Sequence, residues 1–207
     1  MSELVVALDA LFALPGADGV AAVKLAELAG AEAVRVSAEV AETHVHELRR
    51  AATCLELKMG PSPLALKLAL EVRPDRVVLT EPAPPAVLRQ LEDARIPAFA
   101  RVAPDVDAVK AAHTAGMAGV EFYTEHAVDL PEAGRRAVLE RLGDASRLAG
   151  KLHVPVSLGG GLDGRTLGQF VERAPALARV VVGRALVARA VLVGMDRAVR
   201  DLRARLR

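Results

Sequence analysis

The stretch Leu55-Glu56-Leu57-Lys58-Met59 ("LELKM", 55–59) alternates, with Leu55, Leu57 and Met59 on one side and Glu56 and Lys58 on the other. Period-two alternation marks a strand with two different faces. After Gly60-Pro61-Ser62 comes Pro63, a residue suited to the first turn of a helix, and the mostly apolar Pro63–Val72 follows. Together they read as one βα unit. The fold depends on whether that unit repeats.

It repeats along the whole chain. The other β-like runs are Leu4–Leu8, Ala33–Ser37, Arg76–Thr80, Ala98–Val102, Gly119–Tyr123, His153–Leu158 and Arg179–Val182. Helical patterns fill the gaps: Val20–Ala29, Thr43–Thr53, Pro85–Ala94, Val106–Ala115, Pro131–Gly150, Arg165–Arg173 and Ala185–Leu206, with Thr43 as a cap or first-turn residue. Pro85 and Pro131 mark helix starts and Gly30 a helix end. Eight β runs, spaced by roughly 20–35 residues and each followed by a helix, predict an α/β fold, a (β/α)8 TIM barrel with shortened βα loops. The competitor, an open doubly wound sheet, fits less well. Its first βα turn would carry G-x-G-x-x-G, whereas Leu14–Gly19 reads Leu-Pro-Gly-Ala-Asp-Gly. No linker or change of composition divides the chain, so one domain is expected over 1–207.

Composition excludes several classes of function. With 27 basic against 26 acidic residues the net charge is +1, and no basic patch argues for nucleic acid or a membrane surface. Aromatics are only 2 %, too few for base stacking. Cys54 is the sole cysteine, read as a small buried thiol, so neither a disulfide framework nor a zinc cluster is expected. His44 and His46 fall on different helix faces and make a poor metal pair. The N-terminal run is apolar but lacks a basic n-region, and no run of 18 apolar residues exists; a soluble cytoplasmic protein is the expectation. Neither metal nor cofactor is expected.

In a TIM barrel the active site lies at the C-terminal ends of the strands. Two glycine-bearing loops there suggest a phosphate cradle: Ser157–Gly164 and Val181–Leu186. Glycines let backbone N–H groups approach an anion, a helix N-terminus adds its dipole, and an arginine adds a charged fork. Gly159, Gly161, Gly183 and Arg184 are the candidate phosphate-binding residues. A phosphorylated small molecule or inorganic phosphate is the candidate ligand. The structural alternative is a pair of tight turns and a helix cap.

These loops, with Leu55–Pro82, Val120-Glu121-Phe122-Tyr123-Thr124 and Val182–Val191, resemble the pyridoxine 5′-phosphate synthase family. Its barrel enzymes condense 1-deoxy-xylulose 5-phosphate with 3-amino-2-oxopropyl phosphate. The resemblance covers most of the chain and implies a homo-oligomer. It also implies catalytic residues, but these match unevenly. Of the family's first-strand Asn-x-Asp-His only Asp9 is present. The second-strand His and the Arg residues after it become Ser37, Glu39 and Glu42, with His44 matching. The third-strand Glu becomes Lys58, whereas the sixth-strand Glu is kept as Glu121. The seventh loop's Gly-His-Gly reads Gly159-Gly160-Gly161, and the eighth's Gly-His reads Gly183-Arg184. The long lid after the fourth strand shrinks to Glu81–Pro85.

The candidate catalytic residues are therefore Glu121, Lys58 and Asp9. Alternation turns Glu56 and Lys58 into the barrel, where Asp9, Arg35, Arg101 and Glu121 join them, and unpaired charges there would be costly. Lys58 is expected to pair with Glu56 or Glu121. Three readings of it stay open: one member of a space-filling ion network, a Schiff-base nucleophile, or a cation for a bound anion. Ser37, Lys58 and Gly160 cannot replace two imidazoles and a carboxylate as proton shuttles. Chemistry thus favours a non-catalytic relative that binds a phosphorylated ligand or serves as a partner or scaffold subunit. The alternatives are an active pyridoxine 5′-phosphate synthase and an enzyme with altered chemistry through Lys58.

Overall fold

The computed structural model describes residues 2–41 and 44–206. Eight parallel strands close into a barrel in chain order: β1 Glu3–Ala7, β2 Ala33–Ser37, β3 Leu55–Met59, β4 Arg76–Leu79, β5 Ala98–Val102, β6 Gly119–Tyr123, β7 Val156–Gly159 and β8 Leu177–Val182. Pairing of Val5 with both Ala33 and Val181 closes the ring. The expected (β/α)8 barrel is the fold. Its loops are short where the sequence is short, and only Thr80–Pro84 joins β4 to the helix Pro85–Asp93.

Alternation sorts the side chains between two interiors. Leu4 and Val6, Val34 and Val36, Leu55 and Leu57 turn outward and join the helices in the main core. The inner cluster is smaller: Val5, Ala33 and Val181, with Ala7 and Cys54 against them. Cys54 is half-buried, and burial pushes its thiol up. Across the lumen, a Cβ at position 119 would fall 2.0 Å from the Phe99 ring, so Gly119 makes room for that ring, and Arg179 lies 4.1 Å over it.

Several boundaries differ from the sequence reading. The first strand ends at Ala7, and Asp9 opens a one-turn helix, Asp9–Phe12. His153 begins no strand. It adopts φ 56° in the turn closing the helix Glu132–Lys151, and β7 starts at Val156. Pro131 caps that helix rather than opening it. The C-terminal pattern is two helices, Arg184–Val193 and Met195–Arg203, because Gly194 takes φ 83° between them. Gly30, at φ 103°, ends its helix as expected. Glu42 and Thr43, the expected cap, lie outside the described residues. No described helix is long and apolar enough to cross a membrane.

Candidate functional site

A cavity of about 510 Å³ opens at the C-terminal mouth of the barrel. Its floor is ionic. Arg35 projects inward from β2, opposite Glu56 of β3 in the register. Its Nε and Nη2 donate to Glu56 Oε2 at 2.9 and 2.7 Å, and Nη2 stands 2.6 Å from Glu121 Oε2. Side chains of all three are at most 4 % exposed. Arg76 meets the second oxygen of Glu56 at 3.1 Å, and Arg101 the second oxygen of Glu121 at 3.6 Å. Burial works against the charge on Arg35, but Glu121 and Glu56 outweigh it and hold the guanidinium above the ordinary arginine range. Arg101 is pulled the other way by burial, and the like charge of Arg35 reinforces this against Glu121.

One rung higher the chemistry changes. Ser37 and Lys58 are register partners at the tops of β2 and β3. The Ser37 backbone N–H donates to Asp9 Oδ1 at 2.6 Å, its hydroxyl donates to Oδ2 at 2.8 Å, and Lys58 Nζ donates to Oδ2 at 3.2 Å. Lys58 and Asp9 each keep 26 % of their side-chain surface exposed. The expected partner of Lys58 was Glu56 or Glu121. Its partner is Asp9, because the one-turn helix after β1 carries that carboxylate over the rim while Arg35 already holds both deeper acids.

The far wall comes from β6, β7 and β8. Gly160 and Gly161 take φ 101° and 70°. Among the described residues, the N–H groups of Gly161 and Leu162, and those of Arg184 and Ala185 opening the last βα helix, have no protein acceptor. Gly161, Gly183 and Arg184 line the cavity, as do Asp9, Lys58 and Glu121. Gly159 lies below, with Glu121 Oε1 only 3.0 Å from where its Cβ would be. Tyr123 points inward: Arg101 sits 3.9 Å over its ring and His126 is edge-on to it at 5.4 Å. The Tyr123 hydroxyl donates to Glu125 Oε2, and Arg184 Nη2 donates to Glu125 Oε1. Asp163 organises the turn into the helix Leu167–Arg173. Burial raises its pKa, but the backbone N–H and hydroxyl of Thr166, with Arg165, outweigh this and hold the carboxyl at about 2.

Sequence reasoning missed two inward arginines, Arg76 and Arg179, although strand parity would have placed both. It also missed Glu125, whose position two residues after an inward Tyr123 was the available signal. His44 lies away from the cavity, stacked on Phe12 at 5.5 Å.

Residues 81–207 match the family model of the pyridoxal phosphate biosynthesis protein PdxJ. A pyridoxine 5′-phosphate synthase from a Synechococcus strain is 34 % identical, over 90 % of this chain and 88 % of its own. The chain belongs to the PdxJ family. The pyridoxine 5′-phosphate synthase of Syntrophotalea carbinolica is 31 % identical over the same shares. Among solved structures, a thiamine phosphate pyrophosphorylase from Pyrococcus furiosus superposes with a TM-score of 0.68 at 18 % identity, covering 99 % of this chain and 95 % of its own. A tryptophan synthase chain from Mycobacterium tuberculosis reaches 0.70 at 17 %, covering 100 % and 93 %. These two likenesses bear on fold alone.

Within the PdxJ frame, Gly160 is more than a missing side chain. A Cβ there would fall 2.6 Å from the Tyr123 ring, and φ 101° strains any residue but glycine. Tyr123 therefore occupies the space that an imidazole at this position would need.

Proposed function

We propose that this PdxJ-family barrel binds a phosphorylated small molecule at its mouth without making the pyridoxine 5′-phosphate for which its relatives are named, serving as a ligand-binding or partner subunit. The observation behind this reading is the state of the cavity's titratable groups. No histidine lines the cavity among the described residues. Four of its acids are engaged: Glu121 with Arg35, Asp9 with Ser37 and Lys58, Glu125 with Tyr123 and Arg184, and Asp163 with Thr166 and Arg165. A proton shuttle must release and regain a proton at the reacting atoms, and loss of one general acid or base costs roughly 10²–10⁴-fold. The unpaired N–H groups at Gly161, Leu162, Arg184 and Ala185 support an anion subsite.

The second reading is an active pyridoxine 5′-phosphate synthase. Identity over nine-tenths of the chain favours it, as does the retained Glu121. A paired assay separates the two. Calorimetry should detect binding of a simple phosphate monoester such as glycerol 3-phosphate. Incubation with both family substrates should yield no pyridoxine 5′-phosphate. Turnover near the ordinary enzymatic scale, roughly 1 s⁻¹, establishes the synthase reading instead.

A further inference from the structure

Glu125 follows β6 on the short helix Glu125–Val128, outside every position that the family resemblance marks. Its two carboxylate oxygens face different partners. Oε1 takes the Arg184 guanidinium and Oε2 takes the Tyr123 hydroxyl. Tyr123 is itself held: its ring lies flush on Gly160 and beneath Arg101, whose guanidinium is 3.9 Å away. Glu125 also closes on the glycine loop, where its Cα would stand 3.2 Å from a Cβ at Gly161. The carboxylate is thus placed from both sides against Arg184, the arginine that opens the last βα helix at the anion subsite.

We propose that Glu125 is a built-in competitor for Arg184 that sets the affinity and charge-dependence of the cradle toward phosphate monoesters. The inference rests on the phosphate-binding reading above. Arg184 cannot give its guanidinium fully to a ligand phosphate while Glu125 holds it, so binding is an exchange of one anion for another. The pair together presents almost no net charge. A ligand arriving there meets a weak field and must be held by the N–H groups of Gly161, Leu162, Arg184 and Ala185 and by whatever its organic part touches near Lys58. Free inorganic phosphate, with no organic part, is then held poorly. Tyr123 fixes the carboxylate's position and so acts on affinity through it.

Isothermal titration with glycerol 3-phosphate and with inorganic phosphate tests this on the wild type and four variants. Glu125→Gln keeps the shape and removes the competing charge. It should tighten both ligands by roughly three- to tenfold, the scale on which an exposed ion pair competes, and should make binding fall more steeply with salt. Tyr123→Phe should give a smaller gain in the same direction. Arg184→Ala should weaken binding, and the double variant Glu125→Gln/Arg184→Ala should bind like Arg184→Ala alone. Weaker binding by Glu125→Gln, or a gain that persists without Arg184, overturns the proposal. So does unchanged affinity in Glu125→Gln while the wild type binds, which leaves the phosphate reading standing. Absence of binding in both wild type and Glu125→Gln overturns the two together. Thermal melting of each variant, with Glu125→Ala as a second removal of the charge, separates these outcomes from loss of fold.

Discussion

The floor and the rim of the barrel are built from the same kinds of residue and are held in different ways. On the floor, Arg35 stands between Glu56 and Glu121 with side chains at most 4 % exposed. On the rim, Lys58 meets Asp9 with both 26 % exposed, and Arg184 meets Glu125 with 72 % and 31 % exposed. Taking ions out of water is costly, so a buried pair matters chiefly through the damage done when one partner goes. A pair still in water contributes little and can be remade with a ligand ion. Depth in the lumen, more than residue type, therefore divides structural charges from those available for binding.

The largest expected effect breaks the floor. Arg35→Met should destabilise the fold by about 3–5 kcal/mol, because it leaves two buried carboxylates without their shared cation. Urea unfolding measures it. Adding Glu121→Gln should return part of the loss, and a double-mutant cycle gives the coupling. A loss under about 1 kcal/mol would mean that the floor behaves like the rim.

Next is the boundary between the two regions, where Tyr123 rests on Gly160. Gly160→Ala combines a positive φ with a contact against the ring, and should cost about 1–3 kcal/mol. Tyr123→Ala should relieve the contact but not the backbone strain, so the substitution at 160 should cost less in that background without becoming free. Equal costs in both backgrounds would show that the ring does not define this wall.

The rim also carries a pH signature. Asp163 falls from an ordinary 3.8 to about 2 in the folded protein. A depressed carboxyl stabilises the fold above its unfolded value, and that contribution disappears as pH falls through the folded one. Stability should therefore decline between about pH 4 and pH 2 by on the order of 1 kcal/mol from this group, a charge-assisted hydrogen-bond value reduced for partial exposure. Asp163→Ala should flatten that part of the profile in acid-unfolding curves.

The outer face of the barrel was legible because each strand alternates. Leu55 and Leu57 point to the helices whichever neighbours they have. Proline and glycine fixed many helix ends, as Pro63 and Gly30 show, through local backbone rules. Height and partnership were not legible. Parity tells that Glu56 and Lys58 share the lumen side. It does not tell that Lys58, two residues on, rises to the rung of Ser37, or that a helical turn brings Asp9 over it. Those facts depend on register between strands and on the path of a loop. Gly194 failed as a visible break for a related reason: a glycine inside an amphipathic pattern becomes a hinge only where the tertiary path needs φ 83°. The substituted family positions were visible, but not that Tyr123 fills the space beside Gly160.

The smallest expected effect is the sharpest test of the comparison. Strand alternation alone would make Lys58 a buried ammonium, paired with Glu56 or Glu121, whose loss costs as much as that of Arg35. The geometry instead gives it Asp9 at 3.2 Å, a quarter of its surface in water, and a carboxylate already satisfied by the N–H and hydroxyl of Ser37. Removing the ammonium leaves Asp9 with two donors and access to solvent, so no stranded charge results. Lys58→Met should therefore change stability by only about 0.2–1 kcal/mol, and its coupling with Asp9→Asn should stay within that range. The same variant should weaken a phosphate ester that reaches the rim, since the cation there is available to a ligand. A stability loss on the scale of Arg35→Met would place Lys58 with the floor and erase the distinction between the two regions.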